Sequence, residues 1–124
     1  MQTPKVFESE YQFCLILWEN EPISSGQLVK LCQNKLGWKP TTTYTVIKRL
    51  SERGVVKNEK SIVTSLISKS QIQQVEMDEF VEKTFEGSLP AFIAAFTKNR
   101  KISKKEIDEV QAMIDRAREE GKDE

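Results

Sequence analysis

The sequence predicts a mainly α-helical chain with one small β-hairpin, arranged as a compact head followed by a helical arm. Three observations predict it. Before residue 54, apolar residues recur at helical spacing in three short segments. Two β-branched runs follow, Val55-Val56-Lys57 and Ile62-Val63-Thr64-Ser65-Leu66, and Asn58-Glu59-Lys60-Ser61 separates them, which reads as a hairpin. From Ser68 onward the pattern is helical again and polar on most faces. The expected division is a head over residues 1–68 and an arm over 69–124.

The first helix is expected to begin at Ser9, with Gln12 three residues on as the second half of a capping box. Tyr11, Cys14, Leu15 and Trp18 supply its apolar stripe, and Phe13, Ile16 and Leu17 widen it, so this helix must be central to a core. Pro22 lies beyond its end, and Pro22-Ile23 reads as a short extended link. Ser24 with Gln27 opens a second helix, Leu28, Leu31 and Cys32 face inward, and Gly37 stops it. The third helix starts at Pro40 and Thr41. It buries Val46, Ile47 and Leu50 and ends at Gly54. In the arm, Val75, Met77, Phe80, Val81 and Phe85 make a long helix that Gly87 and Pro90 break. Leu89, Phe92, Ile93 and Phe96 make a short one. After a Ser103/Glu106 capping box, Ile107, Val110, Met113 and Ile114 stripe the last helix, which ends near Gly121. Three helices and then a hairpin is the order of a winged helix-turn-helix.

Composition narrows the function. The chain has 124 residues, 38% hydrophobic and 31% charged, which suits a soluble domain with an appendage. No run approaches the roughly 18 apolar residues that span a bilayer. The N-terminal stretch lacks the pattern of a secretory signal, so the expectation is a cytoplasmic protein without membrane insertion. The chain has no histidine, the commonest general base and metal ligand. Nor does it show a nucleophile–base pair, a ligand cluster or a glycine-rich phosphate loop, so neither an enzyme nor a metal or cofactor site is expected. Its two cysteines, Cys14 and Cys32, sit in apolar helical patterns and read as core residues. The zero net charge is uneven. Residues 1–68 carry nine Lys/Arg against six Asp/Glu, and residues 69–124 carry ten against thirteen, hence +3 in front and −3 behind.

The third helix carries the chemistry. Four threonines near a helix start are poor for helix propensity. Their hydroxyls and methyls suit base edges, and Lys48 and Arg49, one turn later, suit phosphates. Thr41, Thr42, Tyr44, Thr45, Lys48 and Arg49 are therefore the candidate DNA-binding residues, joined by Lys57 and Lys60 on the hairpin. A plainer reading stands beside this one, with Thr41 as a cap, Thr43 as a small core residue, and Lys48 and Arg49 as a solvated face. The alternative function is a winged-helix adapter that binds proteins and not DNA.

The arm holds more apolar residues than a thin appendage can hide, so a second copy is expected to cover them, the alternative being that the arm folds back on its own head. Phe80, Phe85, Phe92, Ile93, Phe96, Ile107, Val110, Met113 and Ile114 are the candidate dimerisation residues.

The run from Trp38 through Leu50, with Arg53-Gly54-Val55-Val56 after it, resembles the recognition helix of the penicillinase-repressor (BlaI/MecI/CopY) family. Glu10-Tyr11 through Leu17-Trp18 resembles that family's first helix, and Phe96-Thr97-Lys98-Asn99 with Lys105-Glu106-Ile107 resembles its arm. The resemblance implies a homodimeric repressor on a palindromic double-stranded DNA operator, controlling genes of β-lactamase or penicillin-binding-protein type. It also implies induction by a membrane sensor-protease system that cleaves the arm. Three departures accompany it. No cysteine follows Cys32, so the paired cysteines of the copper branch are missing. The bond matching the cleaved Asn–Phe bond joins Ala95 to Phe96. The wing is short and lacks the family's aromatic strand residues.

Overall fold

In the computed structural model, which describes residues 3–121, six helices and three short strands follow in the order α1 (Glu8–Asn20), β1 (Ile23–Ser24), α2 (Ser25–Leu36), α3 (Pro40–Glu52), β2 (Val56–Glu59), β3 (Ile62–Ser65), α4 (Lys69–Phe85), α5 (Leu89–Thr97) and α6 (Lys104–Gly121). The chain divides into two compact units, one ending at Phe80 and the other beginning at Val81. The sequence pattern alone puts the division at 68/69. The difference lies in the first turns of α4, where Ile72 is fully buried in the core of the first unit. None of the described helices is long and apolar enough to cross a membrane.

The first unit's core gathers Phe13, Cys14, Ile16 and Leu17 of α1 with Leu28 and Cys32 of α2 and Val46, Ile47 and Leu50 of α3. Val55, Val56 and Val63 of the hairpin region close it. On α1 the deepest face differs from the expected stripe. Phe13, Cys14 and Leu17 are buried, whereas Tyr11, Leu15 and Trp18 are half-buried. The residues expected to widen the stripe are its centre, because an all-round apolar helix leaves its orientation to its neighbours. Trp18 keeps a role at the rim, where its indole N–H donates to the Ile67 carbonyl at 3.0 Å and ties down the exit from the hairpin.

The start of α1 also differs from expectation. Ser9 lies inside the helix, and the cap is formed by Glu10, whose carboxylate accepts the Phe7 backbone N–H at 2.9 Å. The same oxygen, Oε1, pairs with the Arg53 guanidinium, so a buried carboxylate joins the start of α1 to the end of α3. The other boundaries follow local chemistry. Ser24 Oγ caps α2 through the Gln27 N–H at 3.2 Å. Gly37 closes α2 at φ 68°, the left-handed conformation that a side chain resists. Lys39 is the N-cap of α3, Pro40 its first residue, and Thr41 lies within the helix, so Thr41 is not a cap. Ser68 and Gln71 cap α4 reciprocally, at 3.1 and 2.8 Å.

The hairpin is tighter than its sequence suggests. Asn58 and Glu59 belong to β2, paired with Val63 and Ile62, so the turn is only Lys60-Ser61. Both turn residues have positive φ, 53° and 64°, as a type I′ hairpin requires. Neither is glycine, so each side chain resists that backbone by about 1 kcal/mol. Two outside bonds hold the turn. The link at Ile23–Ser24 is a third strand paired antiparallel to β3, which makes β3 the centre of the sheet. The Ser25 N–H donates to the Ser61 carbonyl at 2.8 Å, fixing the turn to the first residue of α2. At the far end of β3, the Glu21 carboxylate accepts the Ser65 N–H at 2.7 Å and the Ser65 hydroxyl.

Glu10→Ala leaves Arg53 unpaired and the Phe7 amide uncapped, so chemical denaturation should show a loss of about 2 kcal/mol. Arg53→Ala on top of it should add much less than it does alone. The Cys14 thiol is pushed from 9.0 up to about 12, by burial first and then by the Glu10 carboxylate, with Arg53 pulling the other way and Glu21 adding to the rise. An unfolded thiol ionises near the lower value, so this contribution to stability is complete below it and is lost as pH climbs toward the upper one. Alkaline unfolding of Cys14→Ala should therefore be shallower than that of the parent by up to about 1.4 kcal/mol per pH unit.

Candidate nucleic-acid interface

Helix α3 separates its residues by chemistry. Thr43, Val46, Ile47 and Leu50 point into the core and are buried. Thr41, Thr42, Tyr44, Thr45, Lys48 and Arg49 are all exposed. The spacing explains this: positions 43, 46, 47 and 50 share one helical face, which leaves 41, 42, 45, 48 and 49 on the other. The Thr43 hydroxyl is buried and has no hydrogen-bond partner among the described residues. Burial pushes the pKa of the Cys32 thiol on α2 up, and the Thr43 hydroxyl opposes that rise in part. Thr43 thus belongs to the packing between α2 and α3. Behind the start of α3, Trp38 stacks on Phe13 with rings parallel to within 3° at 6.3 Å.

The outward threonines are not equivalent. The Thr45 hydroxyl donates back along the helix to the Thr41 carbonyl at 2.9 Å. Thr41 and Thr42 make no such bond among the described residues, so their hydroxyls are open to an incoming partner. Lys39, exposed at the N-cap, adds a cation at the edge of this face. Helical spacing does not single it out because it precedes the helix, although its position directly before Pro40 is a visible signal.

On the hairpin, Lys57 and Lys60 are both exposed, but Lys57 is engaged. Its ammonium lies 2.7 Å from the Glu59 carboxylate two residues along the strand. Alternation along β2 puts the two on one face. The hydrogen bond, and the charge behind it, raise the Lys57 pKa and lower that of Glu59. Both ends are fully solvated, so the pair contributes little to stability. Its effect is on partners, because a carboxylate beside a wing cation repels a phosphate that the cation would attract. Spacing on a strand shows this pair in the sequence only once the turn is known to be two residues long.

The candidate dimerisation residues fall into two groups. Phe80 ends the first unit and is half-exposed. The remainder belong to the second unit. Phe85 meets Phe92 edge-on at 5.7 Å, and Phe92 lies 5.9 Å from Phe96. Between α5 and α6 runs an apolar cleft of about 290 Å³, lined by Ile93, Phe96, Ile102, Ile107, Val110 and Ile114 among others. Neither helix has a buried residue. Ile107, Val110, Met113 and Ile114 remain about half open to solvent. Ala95 and Phe96 lie in the last turn of α5, where the Thr97 hydroxyl donates to the Ile93 carbonyl at 2.8 Å and the Arg100 guanidinium sits 4.5 Å over the Phe96 ring.

Known proteins resemble this chain in sequence, and solved structures resemble its head. The penicillinase repressor family model matches residues 7–116. The penicillinase repressor of Bacillus licheniformis is 22% identical over 116 residues, covering 90% of this chain and 91% of the relative. That of Staphylococcus aureus is 24% identical over 110 residues, covering 86% and 87%. Among solved structures, the DNA-binding domain of the repressor BlaI matches with a TM-score of 0.51 at 22% identity, covering 57% of this chain and 93% of that domain. The monomeric form of Bacillus licheniformis BlaI in complex with the blaP half-operator matches with a TM-score of 0.50 at the same identity and coverage. The shared fold is the winged helix-turn-helix, in which α2 and α3 form the helix-turn-helix and β2–β3 the wing. A match that takes in nearly the whole length, α1 through most of α6, means that this chain belongs to the penicillinase repressor family.

Proposed function

We propose that this protein is a homodimeric transcriptional repressor that binds a palindromic duplex operator through α3 and the wing. The observation that carries the reading is the division of α3. A face of threonines, a tyrosine and two cations is exposed, and an apolar face is buried beneath it. A helix entering a major groove needs these two faces: short polar groups for base edges, cations for phosphates, and a packed back that sets the angle of entry. The relatives named penicillinase repressors, and the BlaI structure with its half-operator, support the same reading and favour genes of penicillinase type.

The homodimer rests on a separate observation. A helical unit in which α5 and α6 bury nothing cannot account for the apolar residues left half open around its cleft. A second copy would cover them symmetrically. Two linked heads turn the second half-site contact into an intramolecular event, with half-sites about 34–36 Å apart. Whatever separates the copies then releases the operator. A membrane sensor-protease acting at Ala95–Phe96 would first have to unwind the end of α5, because a helical bond does not fit a protease cleft. A signal that parts the copies directly needs no unwinding.

Selection from random duplexes should return a palindrome, and recovery of no preferred sequence would overturn the repressor reading. Lys48→Ala should flatten the salt dependence of binding by about 0.9 in log–log slope for each phosphate that is no longer neutralised. Glu59→Gln should steepen it by a similar amount, because Lys57 then becomes available to a phosphate. In the arm, Ile107→Asp with Val110→Asp should sediment as a monomer with a folded head and bind the full palindrome more weakly by about tenfold or more. A variant that remains dimeric would remove α6 from the interface.

A further inference from the structure

We propose that Thr45 reads the C5 methyl group of a thymine, through its own methyl and not through its hydroxyl. The inference rests on the reading of α3 as the recognition helix and says which base feature one position of it selects.

The hydroxyl is already committed within the helix. Thr45 Oγ1 lies 2.9 Å from the Thr41 carbonyl oxygen and donates its proton there. A threonine hydroxyl has one proton, so none remains for a base. The acceptors of the major groove are guanine O6 and N7, adenine N7 and thymine O4, and each needs a donor. Thr45 in this rotamer offers them none, and what its oxygen could still accept from adenine N6 or cytosine N4 is separated from the methyl contact by the Thr45→Val variant below. With Oγ1 turned back to the helix backbone, Cγ2 is the remaining terminal group of this exposed side chain. A methyl on the exposed face of a groove-facing helix has one apolar counterpart on base edges, the thymine C5 methyl.

The neighbours sharpen the assignment. Thr41 and Thr42, whose hydroxyls carry no such internal bond, remain able to donate to or accept from bases or phosphates. The back-bond arises from helix geometry alone, since position i−4 lies directly beneath position i. It is therefore already present in the free protein, and the methyl is presented without any rearrangement on binding. The threonines thus divide the work: Thr43 packs inward, Thr41 and Thr42 supply polar contacts, and Thr45 supplies an apolar one. Cytosine and uracil, which lack the C5 methyl, are discriminated against at that position.

The test uses the full chain and the duplex recovered by random selection. Thymines are replaced by uracil one position at a time, in both half-sites together, which removes a methyl and leaves every hydrogen-bonding group in place. At one position the wild type should lose about fourfold in affinity per half-site, the worth of one buried methyl. Thr45→Val, which keeps the methyl and lacks the hydroxyl, should bind the same sequence with the same sensitivity to uracil. Thr45→Ser, which keeps the hydroxyl and lacks the methyl, should bind the thymine and uracil duplexes equally. Both variants retain a helix-compatible side chain on an exposed face, and circular dichroism should show them folded. If Thr45→Val loses the preference while Thr45→Ser keeps it, the hydroxyl is the reader and the proposal is overturned. If uracil has the same effect in wild type and Thr45→Ser at every position, the methyl contact belongs to another residue and the proposal is likewise overturned. In both of those cases the palindrome and the repressor reading stand. If the wild type recovers no preferred sequence at all, both fall.

Discussion

The head depends on burying one face of α3. Val46, Ile47 and Leu50 sit in the same core as Phe13 and Leu17 of α1 and Leu28 of α2, so the orientation of the exposed face is set by packing on two other helices. Close packing makes that orientation discrete, because a helix rolled by one residue would expose Ile47 and bury Lys48. The carboxylate of Glu10 secures the far end of the same helix through Arg53. A charge this deeply placed is justified by geometry more than by net stability, since a hydrophobic pair could hold the ends together as firmly but would not fix their direction.

The wing follows the same logic by different means. A two-residue turn of lysine and serine, both at positive φ, is unfavourable as a free hairpin. It persists because β1 pairs along β3 and the Ser25 amide holds the Ser61 carbonyl. The wing is therefore bonded to the start of α2, and its cations keep a constant distance from the helix-turn-helix. The Lys57–Glu59 pair then tunes how much of that charge a phosphate would meet, so the wing's electrostatic reach is smaller than a count of its lysines suggests.

What is legible in the sequence is mostly local. The caps at Ser24 and Ser103, the Gly37 stop and the inward stripe of α3 each depend on residues within one turn of one another, and each is found where the spacing puts it. Features that depend on distant partners are not legible. Glu10 reads as a surface acid until Arg53, forty-three residues away, is brought beside it. Ile23–Ser24 reads as a linker because a two-residue strand has no periodicity of its own and exists only by pairing with β3. Ile72 is one of several apolar residues on α4, with Val75 at i+3, so nothing local marks it as the buried one that carries the head past residue 68. The face of α1 is ambiguous for the opposite reason, since apolar residues on all sides give no phase to read. On the candidate site, the exposed set on α3 is legible from its period. The back-bond of Thr45 and the pairing of Lys57 are not, because both depend on atomic positions within elements.

The arm differs from the head in being incompletely packed. A helix bundle is stable when its stripes face one another, yet α5 and α6 leave a cleft between them and bury no residue. In water an apolar face of this kind is worth most when covered, at about 25 cal/mol for each Å² removed from solvent. A unit that must be covered to be stable responds to whatever competes for the cover. In the homodimer proposed above, coupling the grip of two heads to such a unit would make operator occupancy sensitive to small changes in the arm, because losing the second copy would remove the whole intramolecular advantage at once. Under the proposed function, the loosely packed arm is therefore what makes the repressor releasable, and the tightly packed head is what makes it specific. The two properties require opposite packing, which explains why one short chain contains both.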